Sequence, residues 1–185
     1  MTTNRAAVLA ALAHHRCSAI LRTENARAVR PALDAAIDGG FRVVEVTMTT
    51  PDCLQHVEAL CKNKELTVGA GTVLTVEQAK QARIAGAKFM VSPVCDPQVI
   101  AFCRQHDIVS IPGTYTPTEM LQAHRSGADL VKLLEARFKP IAEMTHEFRR
   151  EGFYERFPAK GQGERVARIH RELGRWAGNA PKTKG

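Results

Sequence analysis

The sequence predicts a parallel α/β fold of the (β/α)8 barrel type, with about six recognisable strand-plus-helix units and an atypical, basic, helical tail. Three observations carry this reading. Short apolar runs and amphipathic helical patterns alternate six times between residues 17 and 134. A phrase recurs where helices hand over to strands, as Gly39-Gly-Phe-Arg-Val-Val, Gly86-Ala-Lys-Phe-Met-Val and Gly127-Ala-Asp-Leu-Val-Lys. Each interval between its copies holds two units, and so regular a beat favours a barrel over an open doubly wound sheet. Third, each strand ends in polar or turn-forming residues, as expected where a barrel keeps its chemistry.

Each element has its own warrant. Residues 2–16 carry Ala7, Leu9, Leu12 and Ala13 near helical spacing. They lack the apolar core and cleavage site of a signal peptide, so they read as a short helix. The stretch is acid-free with two arginines, which leaves a transit peptide as the alternative, but it is poor in serine. A cytoplasmic location is the expectation. Residues 17–22 form the first strand, and a helix over 24–38 carries Val29, Leu33, Ala36 and Ile37 on one face before Gly39-Gly40 caps it. The second strand is Arg42-Val-Val-Glu-Val-Thr47. Pro51 then opens a helix with Leu54, Val57 and Leu60 or Cys61 as its buried row. Strand three is 66–70, running into a glycine-rich turn at Gly69-Ala-Gly-Thr72. A helix over 76–85, strand four over 88–92 and a helix over 97–106 follow. Strand five is 108–111, a helix spans 117–126, and the sixth strand carries Lys132 among Leu130, Val131, Leu133 and Leu134.

Composition narrows the class. The chain has 185 residues, 44% hydrophobic and 24% charged, which suits one soluble domain with no apolar run near the length of a membrane span. The formal charge is +7, but residues 1–136 hold 14 Lys+Arg against 13 Asp+Glu, and residues 137–185 hold 12 against 6. The basic excess therefore belongs to the tail, and the first three quarters give no reason to expect a nucleic-acid partner. The five cysteines stand singly, as free thiols of a reducing compartment would, and the histidines form no HxxxH or HExxH pair. Neither a metal nor another cofactor is expected.

The candidate chemistry lies at the strand ends. On the second strand alternation turns Val43, Glu45 and Thr47 to one side and Val44 and Val46 to the other. An inward glutamate and an inward lysine on different strands would meet inside a barrel. A buried amine favours its neutral, nucleophilic form, and a nearby carboxylate can move protons for it. A structural ion pair is the alternative for Glu45 and Lys132, and an edge lysine that reaches solvent is the alternative for Lys132 alone.

In order along residues 15–136, Val43-Val-Glu-Val-Thr47, Val68-Gly-Ala-Gly-Thr-Val-Leu74, Phe89-Met-Val-Ser-Pro93, Ile111-Pro-Gly-Thr114 and Val131-Lys132 closely resemble the 2-keto-3-deoxy-6-phosphogluconate / 4-hydroxy-2-oxoglutarate aldolase family. The resemblance implies a class I aldolase on an eight-stranded barrel, a homotrimer, a small keto-acid substrate and no membrane partner. It implies that Lys132 forms a Schiff base with a pyruvoyl substrate and that Glu45 acts as general acid and base. Arg22, Thr47 and Thr72 would hold the substrate carboxylate, with Pro93 and Pro112 shaping the pocket. The alternative reading is a catalytically impaired, aldolase-derived scaffold or binding protein.

Two departures bear on these expectations. Many members place an arginine just beyond the strand-two motif, where this chain has Met48-Thr49-Thr50, so the grip on the carboxylate would pass to Arg22. After Leu133-Leu-Glu-Ala-Arg137 the resemblance ends, dividing the chain into a partial barrel over 1–136 and a tail over 137–185. The tail reads as a charged, aromatic-bearing stretch over 138–157 and a basic helix over 164–177 with Val166, Ile169, Leu173 and Trp176 on one face. It is read as the product of altered splicing or frame, as a plug for the open sheet, or as an amphipathic helix for a partner.

Overall fold

A computed structural model of the chain describes residues 4–134. The tail expected over 137–185, with its helix over 164–177, lies outside the described residues. Helix α1 (Asn4–His15) leads into β1 (Ala19–Leu21), α2 (Ala26–Asp38), β2 (Val43–Thr47), α3 (Cys53–Cys61) and β3 (Thr67–Gly71). Then come α4 (Val76–Ile84), β4 (Phe89–Ser92), α5 (Pro97–Gln105), β5 (Val109–Thr114), α6 (Pro117–Ser126) and β6 (Lys132–Leu133).

The strands pair in sequence order, β1-β2-β3-β4-β5-β6, and every neighbouring pair is parallel. A doubly wound sheet reverses its strand order at a switch point, whereas here each crossover steps the same way. The result is a barrel-type arc of six strands, a parallel α/β half-barrel, with the expected succession of units.

Local chemistry accounts for the beat. Gly40, Gly86 and Gly127 adopt φ of 101°, 97° and 87°, so the recurring phrase is a left-handed helix stop that only glycine takes up cheaply. Helix starts are capped by side chains. Thr75 Oγ1 accepts from Gln78 N at 3.1 Å, Asp96 Oδ1 from Gln98 N at 2.8 Å, and Thr116 with Glu119 forms a capping box. Each cap sits just past a strand end, where the chain must turn out of the sheet without leaving backbone donors unpaired.

Register fixes what faces the inside. Glu45 lies level with Gly69 and Thr47 with Gly71, while Phe89 and Val91 lie level with Val109 and Ile111. Val43, Phe89, Val91 and Val109 pack with Val8 of α1, flanked by Leu9, Leu12 and Ile111. Val43, Phe89 and Val109 are the first residues of their strands, so α1 closes the amino-terminal end and leaves the carboxyl ends for function. Arg5 of α1 pairs with the carboxylate of Asp129, whose other oxygen accepts from Ser110 N at 3.0 Å. Asn4 Nδ2 donates to Asp107 O at 3.1 Å. These bonds tie α1 to β5 and to the turn before β6.

Four local expectations change. In α1 the buried residue is Val8, with Ala7 and Ala13 exposed, because the helix turns its Arg5–Val8–Leu12 side to the barrel. Pro51 lies in a turn ahead of α3, with Asp52 at φ 53° as the residue before the helix, and the buried row is Cys53, Val57 and Leu60. Gly69–Gly71 belongs to β3 rather than to a loop, since the ladder with β2 continues to Gly71. The lysine strand is two residues long, and Leu130, Val131 and Leu133 are exposed, so Lys132 is half-buried rather than sealed in.

Gly69 makes room for the core. A Cβ there would overlap the Phe89 ring, which fills the space beside it. Gly69→Ala is expected to cost about 2 kcal/mol through overpacking, read as a lower urea midpoint at an unchanged slope.

Candidate active site

Glu45 is the polar centre of the arc. It is 3% exposed, in the middle of a β2 segment that is buried throughout. Its carboxylate fits because β3 presents no side chain beside it. A Cβ built on Gly71 would overlap Glu45 Oε1 and stand 2.7 Å from Cδ. Gly71 is therefore the socket of the carboxylate, as Gly69 is the socket of Phe89 one step below.

Burial pushes the Glu45 carboxyl above the usual carboxylate range, and the positive charges of Lys132 and Arg22 pull it partway back. Three ionisable groups, one on β2, one on β6 and one just past β1, thus share one field. Because the folded pKa is raised, the stability that Glu45 contributes is fully present below the unfolded pKa and is lost as pH rises through the folded value. Glu45→Gln is accordingly expected to be more stable than the parent at neutral pH. In urea titrations that difference should close as pH falls below the ordinary carboxylate pKa of about 4.3.

Lys132 enters from the far side of the arc. It is level with Gly113 on β5, and Val109, Ile111 and Gly113 alternate on the inward face, so register turns Lys132 inward. Gly113 itself is crowded: a Cβ there would stand 2.5 Å from Pro93 O and 2.9 Å from Ser92 O. The end of β4 therefore lies against β5 directly beside the lysine. Pro93 is exposed at this rim, and Pro112 is buried one step inside it.

Arg22 follows the last residue of β1, and its Nη2 donates to Thr72 Oγ1 at 2.9 Å. Thr72 accepts there, so its own hydroxyl proton remains to be offered elsewhere. Thr72 also holds φ at 59°, an outlier for a β-branched residue and the kind of strain that clusters at ligand sites. Thr47 is fully buried, and its hydroxyl lies 3.0 Å from both Thr49 Oγ1 and Thr50 Oγ1.

The structure thus brings Glu45 under the charges of Lys132 and Arg22 and joins Arg22 to Thr72. Pro93 stands at the rim beside Gly113, and Thr47 bonds to the threonines that follow its own strand. Sequence reasoning missed Gly71 and Thr50. Gly71 was legible in principle, since a glycine two positions from another inside an apolar strand often marks a close approach. The buried thiols of Cys53 and Cys103 are pushed up to about 11 and about 12, so neither is a reactive nucleophile. Among the described residues no group of three or more His, Cys, Asp or Glu side chains could hold a metal ion, and no helix is long and apolar enough to cross a membrane.

Known proteins match this arrangement. The family described as KDPG and KHG aldolase matches residues 8–148. A 2-dehydro-3-deoxy-phosphogluconate aldolase of Treponema pallidum is 38% identical over 130 residues, covering 70% of this chain and 62% of the relative. A probable 2-dehydro-3-deoxy-6-phosphogalactonate aldolase of Rhizobium meliloti is 35% identical over 120 residues, 64% of this chain and 57% of the relative. The chain thus spans less than two thirds of the length of these relatives. Among solved structures, a KDPG aldolase from Legionella pneumophila with pyruvate captured as a covalent carbinolamine superposes with a TM-score of 0.60 at 25% identity, covering 85% of this chain and 72% of that one. With the parallel six-stranded arc and the matched motifs in agreement, the chain belongs to the KDPG and KHG aldolase family.

Proposed function

We propose that this chain cleaves a 2-keto-3-deoxy-6-phospho sugar acid or 4-hydroxy-2-oxoglutarate to pyruvate and an aldehyde, through a Schiff base on Lys132. The observation that carries the proposal is the buried Glu45 carboxyl, seated in the Gly71 socket and acted on by the charges of Lys132 and Arg22.

Lys132 Nζ, as the free amine, attacks the C2 carbonyl and forms a carbinolamine, and Glu45 supplies the proton with which water leaves. The protonated imine that results draws electrons from C2. Glu45, now a carboxylate, takes the C4 hydroxyl proton, directly or through a water. The C3–C4 bond breaks, its electron pair enters the enamine, and the aldehyde departs. The enamine is then protonated at C3, and water hydrolyses the imine to pyruvate and the free amine. A carboxyl that burial raises above the usual carboxylate range suits both directions of transfer. The substrate carboxylate takes N–H donors from Arg22 and the spare proton of Thr72, with Thr47 behind them and Pro93 and Pro112 at the rim. Homotrimer assembly and a cytoplasmic location belong to the same proposal.

The test is pyruvate release from each substrate by the full chain, coupled to NADH oxidation by lactate dehydrogenase. Activity that disappears in Lys132→Ala supports the lyase. A folded chain that releases no pyruvate from either substrate assigns it instead to the scaffold reading.

A further inference from the structure

The three threonines around the end of β2 form a hydroxyl chain whose direction can be worked out. Thr50 Oγ1 lies 3.3 Å from Leu21 O, and a carbonyl can only accept, so the Thr50 proton is spent there. The 3.0 Å contact between Thr47 and Thr50 must then carry the Thr47 proton to Thr50. With that proton committed, the 3.0 Å contact between Thr47 and Thr49 runs from Thr49 to Thr47. The order is Thr49 to Thr47 to Thr50 to the Leu21 carbonyl.

Leu21 is the last residue of β1, and its carbonyl belongs to the same rigid peptide unit as the Arg22 N–H. β1 is only three residues long, so the ladder that holds this strand end is short. Thr47 and Thr50 are 0% and 3% exposed, so the pin that reaches it from β2 is shielded from competing water. At its other end Arg22 is held by Thr72.

We propose that Thr50, backed by Thr47, is a positioning residue for Arg22: the chain of hydroxyls fixes the Leu21–Arg22 peptide so that the guanidinium meets the substrate carboxylate. Thr50 does not touch substrate. The Thr49 proton points inward to Thr47, so Thr49 gives the carboxylate no donor of its own. The inference rests on the Schiff-base reading above and adds the device that orients its cation.

The experiment is borohydride trapping of pyruvate on the full chain, with the half-saturating pyruvate concentration and the final extent of labelling read separately. Thr50→Val keeps the shape and removes the hydroxyl. It is expected to raise half-saturation about fivefold, the scale of one ordinary hydrogen bond, and to leave labelling at saturation unchanged. Thr50→Ser, which keeps the hydroxyl, should restore the parent value within about twofold. In an Arg22→Ala background Thr50→Val should produce no additional shift, because the two residues act as one unit. A full fivefold shift in that background, or none in the parent, with the parent circular dichroism retained, overturns the positioning role. Absence of any adduct on the parent chain at saturating pyruvate overturns the Schiff-base reading itself, and the positioning role with it. Circular dichroism separates misfolding from both, and if Thr50→Val misfolds, Thr50→Ala carries the same comparison.

Discussion

Glu45→Gln is expected to slow aldol cleavage about a thousandfold, the usual scale for removing a positioned general acid and base. The same change is expected to stabilise the fold at neutral pH, since the carboxyl is buried and its pKa is raised mainly by desolvation. A loss of activity with a gain of stability distinguishes a group kept for chemistry from a structural ion pair. Had Glu45 been retained for the fold, as the ion-pair alternative requires, removing its charge would leave Lys132 and Arg22 without their carboxylate and lower stability. Steady-state rates and urea midpoints on one preparation decide between the two.

Gly71→Ala is the second large effect. The added methyl would take the place of Glu45 Oε1, so the carboxyl must shift by a substantial part of an ångström or more. Misplacing a reacting group by about 1 Å costs about a hundredfold in rate, and the accompanying overpacking costs about 1–3 kcal/mol. Gly69→Ala makes the informative control, because its methyl meets the Phe89 ring and not the carboxylate. The two variants should lose similar stability, while Gly71→Ala alone loses most of its turnover at saturating substrate. Equal losses of activity would mean that the socket has no special relation to the chemistry.

Much of this fold was legible because it is written in local code. The glycine phrase predicted helix stops, and Gly40, Gly86 and Gly127 have the positive φ that such stops need. Strand alternation placed Glu45 on the side away from Val44 and Val46, as the β2–β3 register and the Gly71 socket agree. What the sequence left unread is tertiary. Whether Val8 or Ala7 of α1 faces the barrel depends on how the helix rolls over the strand ends, which helical spacing alone does not set. Lys132 lies in an apolar stretch, yet its strand pairs over only two residues with β5, so the run of leucines overstated its burial. The threonine chain joins residues from two strands, and its direction follows only from a carbonyl on β1. No pattern in Thr47-Met-Thr-Thr50 announces it.

Lys132 is the amine proposed to take up pyruvate under the control of Glu45. Borohydride reduction of the full chain in the presence of pyruvate, followed by peptide mass spectrometry, tests it most directly. A single adduct on the peptide containing Lys132, absent from Lys132→Ala and formed far more slowly in Glu45→Gln, is the result expected. An adduct spread over surface lysines such as Lys62, Lys64 and Lys80, or none at all, would contradict it.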